Sequence, residues 1–320
     1  ASRGGSLRVA NCASCHGVHN ILPSSDPDSY THPDNLAETC GNCHEGAGTR
    51  FAIGPVHTLA DDTPNIIAYW IRAIYIPLIW ITVLGMVLHN LLDLFKKTRT
   101  YSLWRRRAPE DCVIRERMSV PFRITHAIAA LSFIVLVVTG FALKYPESWW
   151  ATPLQAWDNE FRGIVHRVAS VGLMGACVFH FVHLAVSSHA RKQIAAFLPK
   201  IADFREFGHR MAYNLGRRDA PPAPVRVGYV EKVEYWAALW GTAITAITGL
   251  ILWFENWTLT WLPGWVPEAA TVLHFLEAIL ATLAILVWHF YFVIFDPAVY
   301  PMDTAWLTGK PPHARAEERG

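Results

Sequence analysis

Residues Ala269 to Phe295 read AATVLHFLEAILATLAILVWHFYFVIF, a run long and apolar enough to cross a bilayer as one helix. Within it stand His274 and His289. An ionisable side chain inside a membrane helix is costly and marks function. Fifteen residues at about 100° each leave a net rotation of roughly 60°, so both rings fall on one side of the helix, roughly 22 Å apart along its axis. One histidine lies near each membrane face.

The rest of the chain fits this reading. Of 320 residues 52% are hydrophobic, only 17% are charged and 14 are Trp, which excludes an ordinary soluble domain and points to a polytopic membrane protein. Four more apolar segments precede the first: Ile66 to Phe95, Ile124 to Leu143, Ile164 to Ser187 and Trp236 to Phe254. The expected fold is therefore an all-α membrane protein with five transmembrane helices. Lys and Arg accumulate in loops on the cytoplasmic side. The connection after the first span holds KKTR, WRRR, Arg115 and Arg117; the one after the third holds Arg191, Lys192, Lys200, Arg205, Arg210, Arg217 and Arg218. KYPESWWATPLQAWDNEFR and ENWTLTWLPGWVPEAAT are poor in basic residues and rich in interfacial Trp. This places the N-terminal segment outside and the C-terminal tail inside the cytoplasmic membrane of a bacterium or archaeon. The net charge of +2 carries no nucleic-acid signal. ASRGGSLRVANCASC lacks the apolar core of a signal peptide, so export is expected to depend on a segment removed or not included.

The N-terminal segment, residues 1–63, contains Cys12-Ala-Ser-Cys15-His16 and Cys40-Gly-Asn-Cys43-His44. C-x-x-C-H is the attachment signature of covalent heme c, with thioethers from both cysteines and an axial bond from the histidine. Disulfide and zinc readings exist for the same residues. Neither accounts for a His directly after each Cys pair. With few large apolar residues, this segment is expected to be loop-rich and wrapped on two hemes. It has no Met, so the sixth ligands are expected among His19, His57 and His32, giving bis-histidine hemes of low potential. His19 resembles the histidines of multiheme cytochromes that reach a neighbouring heme; His57 resembles a distal ligand placed after a final heme motif. His32, in the THPDN turn, reads equally as an exposed turn residue.

Depth sorts the membrane histidines. His166 opens the third span level with His274, and His126 opens the second level with His289, which gives an outer heme b and an inner heme b. His166 and His180, fourteen apart, offer a rival pairing of two helices with two histidines each, as in the cytochrome b of quinol:cytochrome c complexes. Pattern alone does not choose between His126 and His180. His89 and His189 sit at cytoplasmic span ends and read as interfacial. Thr-Gly recurs at Gly140 and Gly249, and Gly172 and Gly175 lie mid-span, where small residues admit either a helix or a macrocycle. Arg162 and Arg167 flank His166 and could pair with heme propionates, with snorkelling as the competing reading. Cys112 and Cys177 are not expected to form a disulfide.

Arg123-Ile-Thr-His126, Gly163-Ile-Val-His166, Tyr213-Asn214-Leu215-Gly216, Thr248-Gly249 and the two-histidine last helix together resemble the gamma, or cytochrome b, subunit of membrane formate dehydrogenases and related nickel-iron hydrogenases. The resemblance implies a four-helix diheme cytochrome b domain over 118–298. It favours His126 as the inner ligand and puts Asn214 and Gly216 at a quinone pocket. His183, four residues before the third span ends, is a further candidate there. The extra span and basic connection (64–117) and the heme c segment make the whole similar to combined cytochrome b/c proteins of anaerobic respiratory bacteria. A Pro-rich insertion, RRDAPPAPVRVGYVEK, follows the Asn-x-Gly, and residues 299–320 form a Pro-rich tail expected along the cytoplasmic surface or on a partner.

The expected cofactors are two heme c, two heme b and a quinone, menaquinone or ubiquinone. The expected role is electron transfer between the quinone pool and the exported hemes or a periplasmic cytochrome c or dehydrogenase, as a quinone-reactive oxidoreductase subunit. The alternative is an anchor and relay without quinone chemistry of its own. A heme-based sensor is a distant third.

Overall fold

A computed structural model describes residues 12–19, 21–43, 65–104, 118–145, 148–151, 159–223, 225 and 227–309. His44, His57 and Cys112 lie outside them. Among the described residues every regular element is helical: α1 (Cys12–His16), α2 (Leu36–Gly41), α3 (Ile66–Trp104), α4 (Val120–Lys144), α5 (Asn159–Val186), α6 (Ser188–Ile194), α7 (Ile201–Asn214), α8 (Tyr229–Trp253), α9 (Glu255–Trp261), α10 (Trp265–Ala284) and α11 (Ala305–Thr308). Five stretches are long and apolar enough to cross a membrane: Ile66–Thr100, Val120–Lys144, Phe161–Val186, Tyr229–Trp253 and Trp265–Phe295.

These helices overrun the apolar segments because hydropathy marks only the part that needs hydrocarbon, while backbone hydrogen bonding carries the helix on. α8 starts at Tyr229, two turns before the apolar run, where the Gly228 N–H donates to Glu231 Oε2 at 3.0 Å and so meets one of the open N-terminal donors. The connections also hold helices that hydropathy misses. α6 is capped by Ser187, whose hydroxyl accepts from Ala190 N–H at 3.2 Å. α7 exposes Ile201 and Phe204 beside Arg205, the composition of a helix lying in a lipid–water interface.

The last span departs from ideal geometry. After α10 the chain makes two π turns, Ile285–His289 and Tyr291–Phe295. The Asp296 N–H donates five residues back to the Tyr291 carbonyl at 2.7 Å, and Asn90 Nδ2 donates to the Val287 carbonyl at 2.6 Å. A π turn carries more residues than an α turn. The rotation reckoned from ideal α geometry between His274 and His289 therefore does not hold.

The chain divides into two compact units, Ala1–Ile76 with Ile247–Leu276, and Pro77–Ala246 with Glu277–Gly320. In the first, α1 and α2 bury no residue, and polar bonds stand in for a core. Asn35 Nδ2 donates to the Pro27 and Ser29 carbonyls at 2.8 and 2.9 Å, and Thr39 Oγ1 donates to the Tyr30 carbonyl at 2.7 Å. Asn65 accepts from the Ile67 and Ala68 N–H groups at the start of α3, and its amide donates to Trp265 O and Glu268 Oε2 at 3.1 and 3.0 Å.

In the second unit α4 and α5 pack side by side. A Cβ on Gly172 would stand 2.7 Å from Ser132 Oγ, so this glycine serves close helix approach. Of the tail, expected along the cytoplasmic surface or on a partner, residues 299–309 are described: the Asp303 N–H donates to Val293 O at 2.7 Å, and α11 packs on α4 with Trp306 5.9 Å from the His126 ring. Outward-facing Trp80, Ile81, Leu84, Leu131, Val178 and Trp240 remain exposed, as a lipid-facing surface requires.

Candidate redox site

His166 and His274 are each set by a Thr-Gly step on another helix. Thr139 Oγ1 and His166 Nδ1 share a hydrogen bond of 2.9 Å, and Thr248 Oγ1 and His274 Nδ1 share one of 2.9 Å. The Thr139 hydroxyl donates its own proton to the Val135 carbonyl at 2.7 Å, so its oxygen accepts from the His166 Nδ1–H. That tautomer puts the ring's lone pair on Nε2, the nitrogen an iron would take. The adjoining glycines allow it: a Cβ on Gly140 would come within 3.2 Å of His166 Cε1, and one on Gly249 within 3.3 Å of His274 Cε1.

His126 and His289 come together within the second unit, their ring centres 6.3 Å apart and tilted by 42°. Two metal–imidazole bonds of about 2 Å in line, with roughly 1.1 Å from each nitrogen to its ring centre, require about 6.2 Å. The spacing therefore fits one axially ligated metal. His126 Nδ1 is buried without a hydrogen-bond partner among the described residues, while His289 Nδ1 stands 3.4 Å from Glu234 Oε1. His180, the rival for the inner site, instead shares a 3.0 Å hydrogen bond with the Tyr235 hydroxyl.

Arg162 is 3% exposed, and its Nε and Nη1 find no partner among the described residues. Two buried guanidinium donors so placed suit a carboxylate such as a heme propionate. Arg167 is exposed.

The quinone-pocket candidates have separate surroundings. His183 has Phe122 edge-on at 5.4 Å and Phe179 stacked at 6.2 Å. Asn214 Nδ2 donates to Asp93 Oδ1 at 3.3 Å, and its Oδ1 is buried without a partner among the described residues. Gly216 has φ +74°, and the Arg217 N–H donates back to the Ala212 carbonyl at 2.8 Å, so a helix C-terminus accounts for this glycine. No hydrogen bond or ring contact joins His183 to Asn214 among the described residues.

In the N-terminal segment an apolar cleft of about 450 Å³ is lined by Cys12, Ala13, His16, Gly17, Val18 and Ile21. Its lining includes the first cysteine and the histidine of the first C-x-x-C-H. Burial pushes the Cys40 thiol up, and the charges of Cys15 and Cys43 add to it. The two motifs thus lie within electrostatic reach of each other. His19 is exposed, and His32 is held in its own turn, where its Nδ1 accepts from the Asp34 N–H at 3.3 Å.

Sequence reasoning missed a polar network on α3. His89, read as interfacial, is 6% exposed and shares a 2.6 Å hydrogen bond with the Tyr229 hydroxyl. Asp93, 2% exposed, accepts from the Tyr291 hydroxyl at 2.9 Å and pairs with Lys97 at 2.6 Å; Lys97 also pairs with Asp296 at 2.6 Å. The four-residue spacing of His89, Asp93 and Lys97, which puts all three on one helix face, was the available signal. Glu277 was missed as well: it is 5% exposed on α10, and a Cβ on Gly241 would meet its carboxylate at 2.8 Å.

Paired histidines on membrane-spanning helices, with buried cationic donors nearby, define a class of protein: a helical membrane electron carrier. The family model for prokaryotic cytochrome b561 matches residues 117–304, more than half of the chain, and the protein belongs to that family. It binds b hemes and moves electrons across a prokaryotic membrane. The match leaves out α3 and everything before it. No curated protein matches the chain.

Proposed function

We propose that the protein passes electrons between the membrane quinone pool and exported c-type hemes, or a periplasmic cytochrome c or dehydrogenase, as a subunit of a respiratory complex. The observation that carries this reading is the 6.3 Å approach of the His126 and His289 rings. One b heme is assigned to them. The second is assigned to His166 and His274, on their sequence positions and on the threonine that each receives at Nδ1. Two c hemes are assigned to Cys12, Cys15 and His16 and to Cys40, Cys43 and His44, with His19 and His57 as further ligands. The basic loops support an N-terminal segment outside and a C-terminus inside. Heme iron supplies one-electron chemistry when bound; the chain fixes the ligand tautomers, neutralises propionates through Arg162 and keeps the path in low dielectric.

Quinone exchange on the inner side, at a pocket that includes Asn214, Gly216 and His183, comes from the resemblance to formate dehydrogenase and hydrogenase subunits. Rapid mixing of the purified full chain with a quinol analogue tests it. Reduction of the c hemes is expected; hemes that all stay oxidised under sufficient driving force would refute the reading. One observation favours the second reading, an anchor and relay without quinone chemistry: helix termination already explains Gly216, and Asp93 already engages Asn214.

A further inference from the structure

The spans on either side of the connecting helices repeat one pattern. α4 and α8 each have 25 residues. In both, the twentieth and twenty-first residues are Thr-Gly: Thr139-Gly140 and Thr248-Gly249. Each hydroxyl engages the first histidine of the next long helix, His166 on α5 and His274 on α10. In each of those spans, Phe161–Val186 and Trp265–Phe295, a second histidine follows: His180 stands fourteen residues after His166, and His289 fifteen after His274. The first π turn, which ends at His289, takes up the additional residue.

The repeat then crosses over. The seventh residue is His126 in α4 and Tyr235 in α8. His289 of the second half meets His126 of the first, and His180 of the first half meets Tyr235 of the second. Two equivalent positions thus exist within the second unit, and only one has an imidazole on both sides. The other has an imidazole and a phenol, closed on each other at 3.0 Å. Both residues are half-buried rather than sealed in a core. Aromatic rings flank it: Phe122 at 5.6 Å from the His180 ring and 5.4 Å from His183, and Phe197 at 5.3 Å from Tyr235.

Imidazole and phenol can each donate or accept a hydrogen bond. Between apolar ring walls, such a pair suits a flat, lipid-soluble ring with oxygen substituents, which stacks on the aromatics while its oxygen enters the hydrogen bond. We infer that His180 and Tyr235 form the head-group site for a quinone or quinol, at the position where the repeat would otherwise hold a second inner ligand pair. This rests on the quinone reading above and moves its centre from Asn214 to the α5–α8 contact. A polar pair within membrane-spanning helices is costly unless it serves a ligand or fastens two helices, and the experiment separates those two.

The full-length protein carrying Tyr235→Phe or His180→Gln is assayed for heme reduction by a short-chain quinol analogue, alongside b-heme content and midpoint potentials. Loss of one buried hydrogen bond is expected to raise the quinol KM about tenfold, with b-heme content and potentials as in the unsubstituted protein. An unchanged KM in both variants would overturn the inference and leave the pair as a helix fastener. So would loss of a b heme from His180→Gln, which would make His180 an iron ligand. A raised KM in Asn214→Ala with none in Tyr235→Phe would overturn it too. If the unsubstituted protein is not reduced by the quinol at all, it is the quinone reading that falls, and no variant is needed to see it.

Discussion

His166 and His274 are held alike, each by a threonine hydroxyl on Nδ1 with a glycine beneath the ring, whereas His126 and His289 are held by nothing of the kind. His126 Nδ1 is buried without a hydrogen-bond partner among the described residues, and His289 Nδ1 faces the Glu234 carboxylate. The difference matters because the partner on the far nitrogen of a ligating imidazole sets the ring's orientation and basicity. A neutral hydroxyl does this mildly and a carboxylate more strongly. One proposed heme therefore has matched ligands and the other mismatched ones, so the two are expected to differ in potential.

The sharpest way to break this comparison is to remove ligands. His289→Ala and His126→Ala are each expected to remove one of two b hemes per chain, measured by pyridine hemochrome with a heme-to-protein ratio. His180→Ala is expected to retain both. Loss of heme from His180→Ala but not from His126→Ala would reverse the inner assignment. Next in size is Asp93→Asn, which weakens the bonds from Lys97 and Tyr291 at a 2%-exposed site; a loss of about 1–3 kcal/mol is expected, read as a lower thermal midpoint in detergent. Lys97 retains Asp296, which limits the damage.

Two smaller effects sharpen the comparison. Thr139→Val or Thr248→Val removes the acceptor at Nδ1, makes the imidazole a weaker electron donor and favours the reduced iron. The expected change is about tenfold in the oxidised-to-reduced ratio at fixed potential, a rise of roughly 59 mV for one electron. Redox titration should show it in one b heme only. Glu234→Gln is expected to raise the potential of the other heme by a smaller amount, since 3.4 Å is a loose contact. Equal shifts of both hemes in either variant would erase the distinction between the two sites.

Part of this is legible in the sequence. Hydropathy located the five spans, because hydrocarbon demands a run of apolar residues whatever packs beside it. Cys12 through His16 carries, in five residues, the pattern on which the heme c proposal rests. The parallel Thr-Gly steps were visible too, but not the use of their hydroxyls, since a threonine in a helix ordinarily spends its proton on a carbonyl one turn back. The Asp93 network was not legible either. His89, Asp93 and Lys97 read as the polar end of a span, and their partners Tyr229, Tyr291 and Asp296 lie more than a hundred residues away. The crossover of the two helix pairs stayed hidden for the same reason. His180 and His126 look equivalent along the chain, and only the approach of His289 to one and Tyr235 to the other tells them apart.

The sequence by itself determined the number and position of the apolar spans and offered the candidate histidines, because these depend on local composition and spacing. Tertiary structure decided which nitrogen of His166 bears the proton, and which second histidine meets another imidazole and which meets a phenol. Those choices depend on contacts between helices far apart in the chain, and no single helix carries the information to make them.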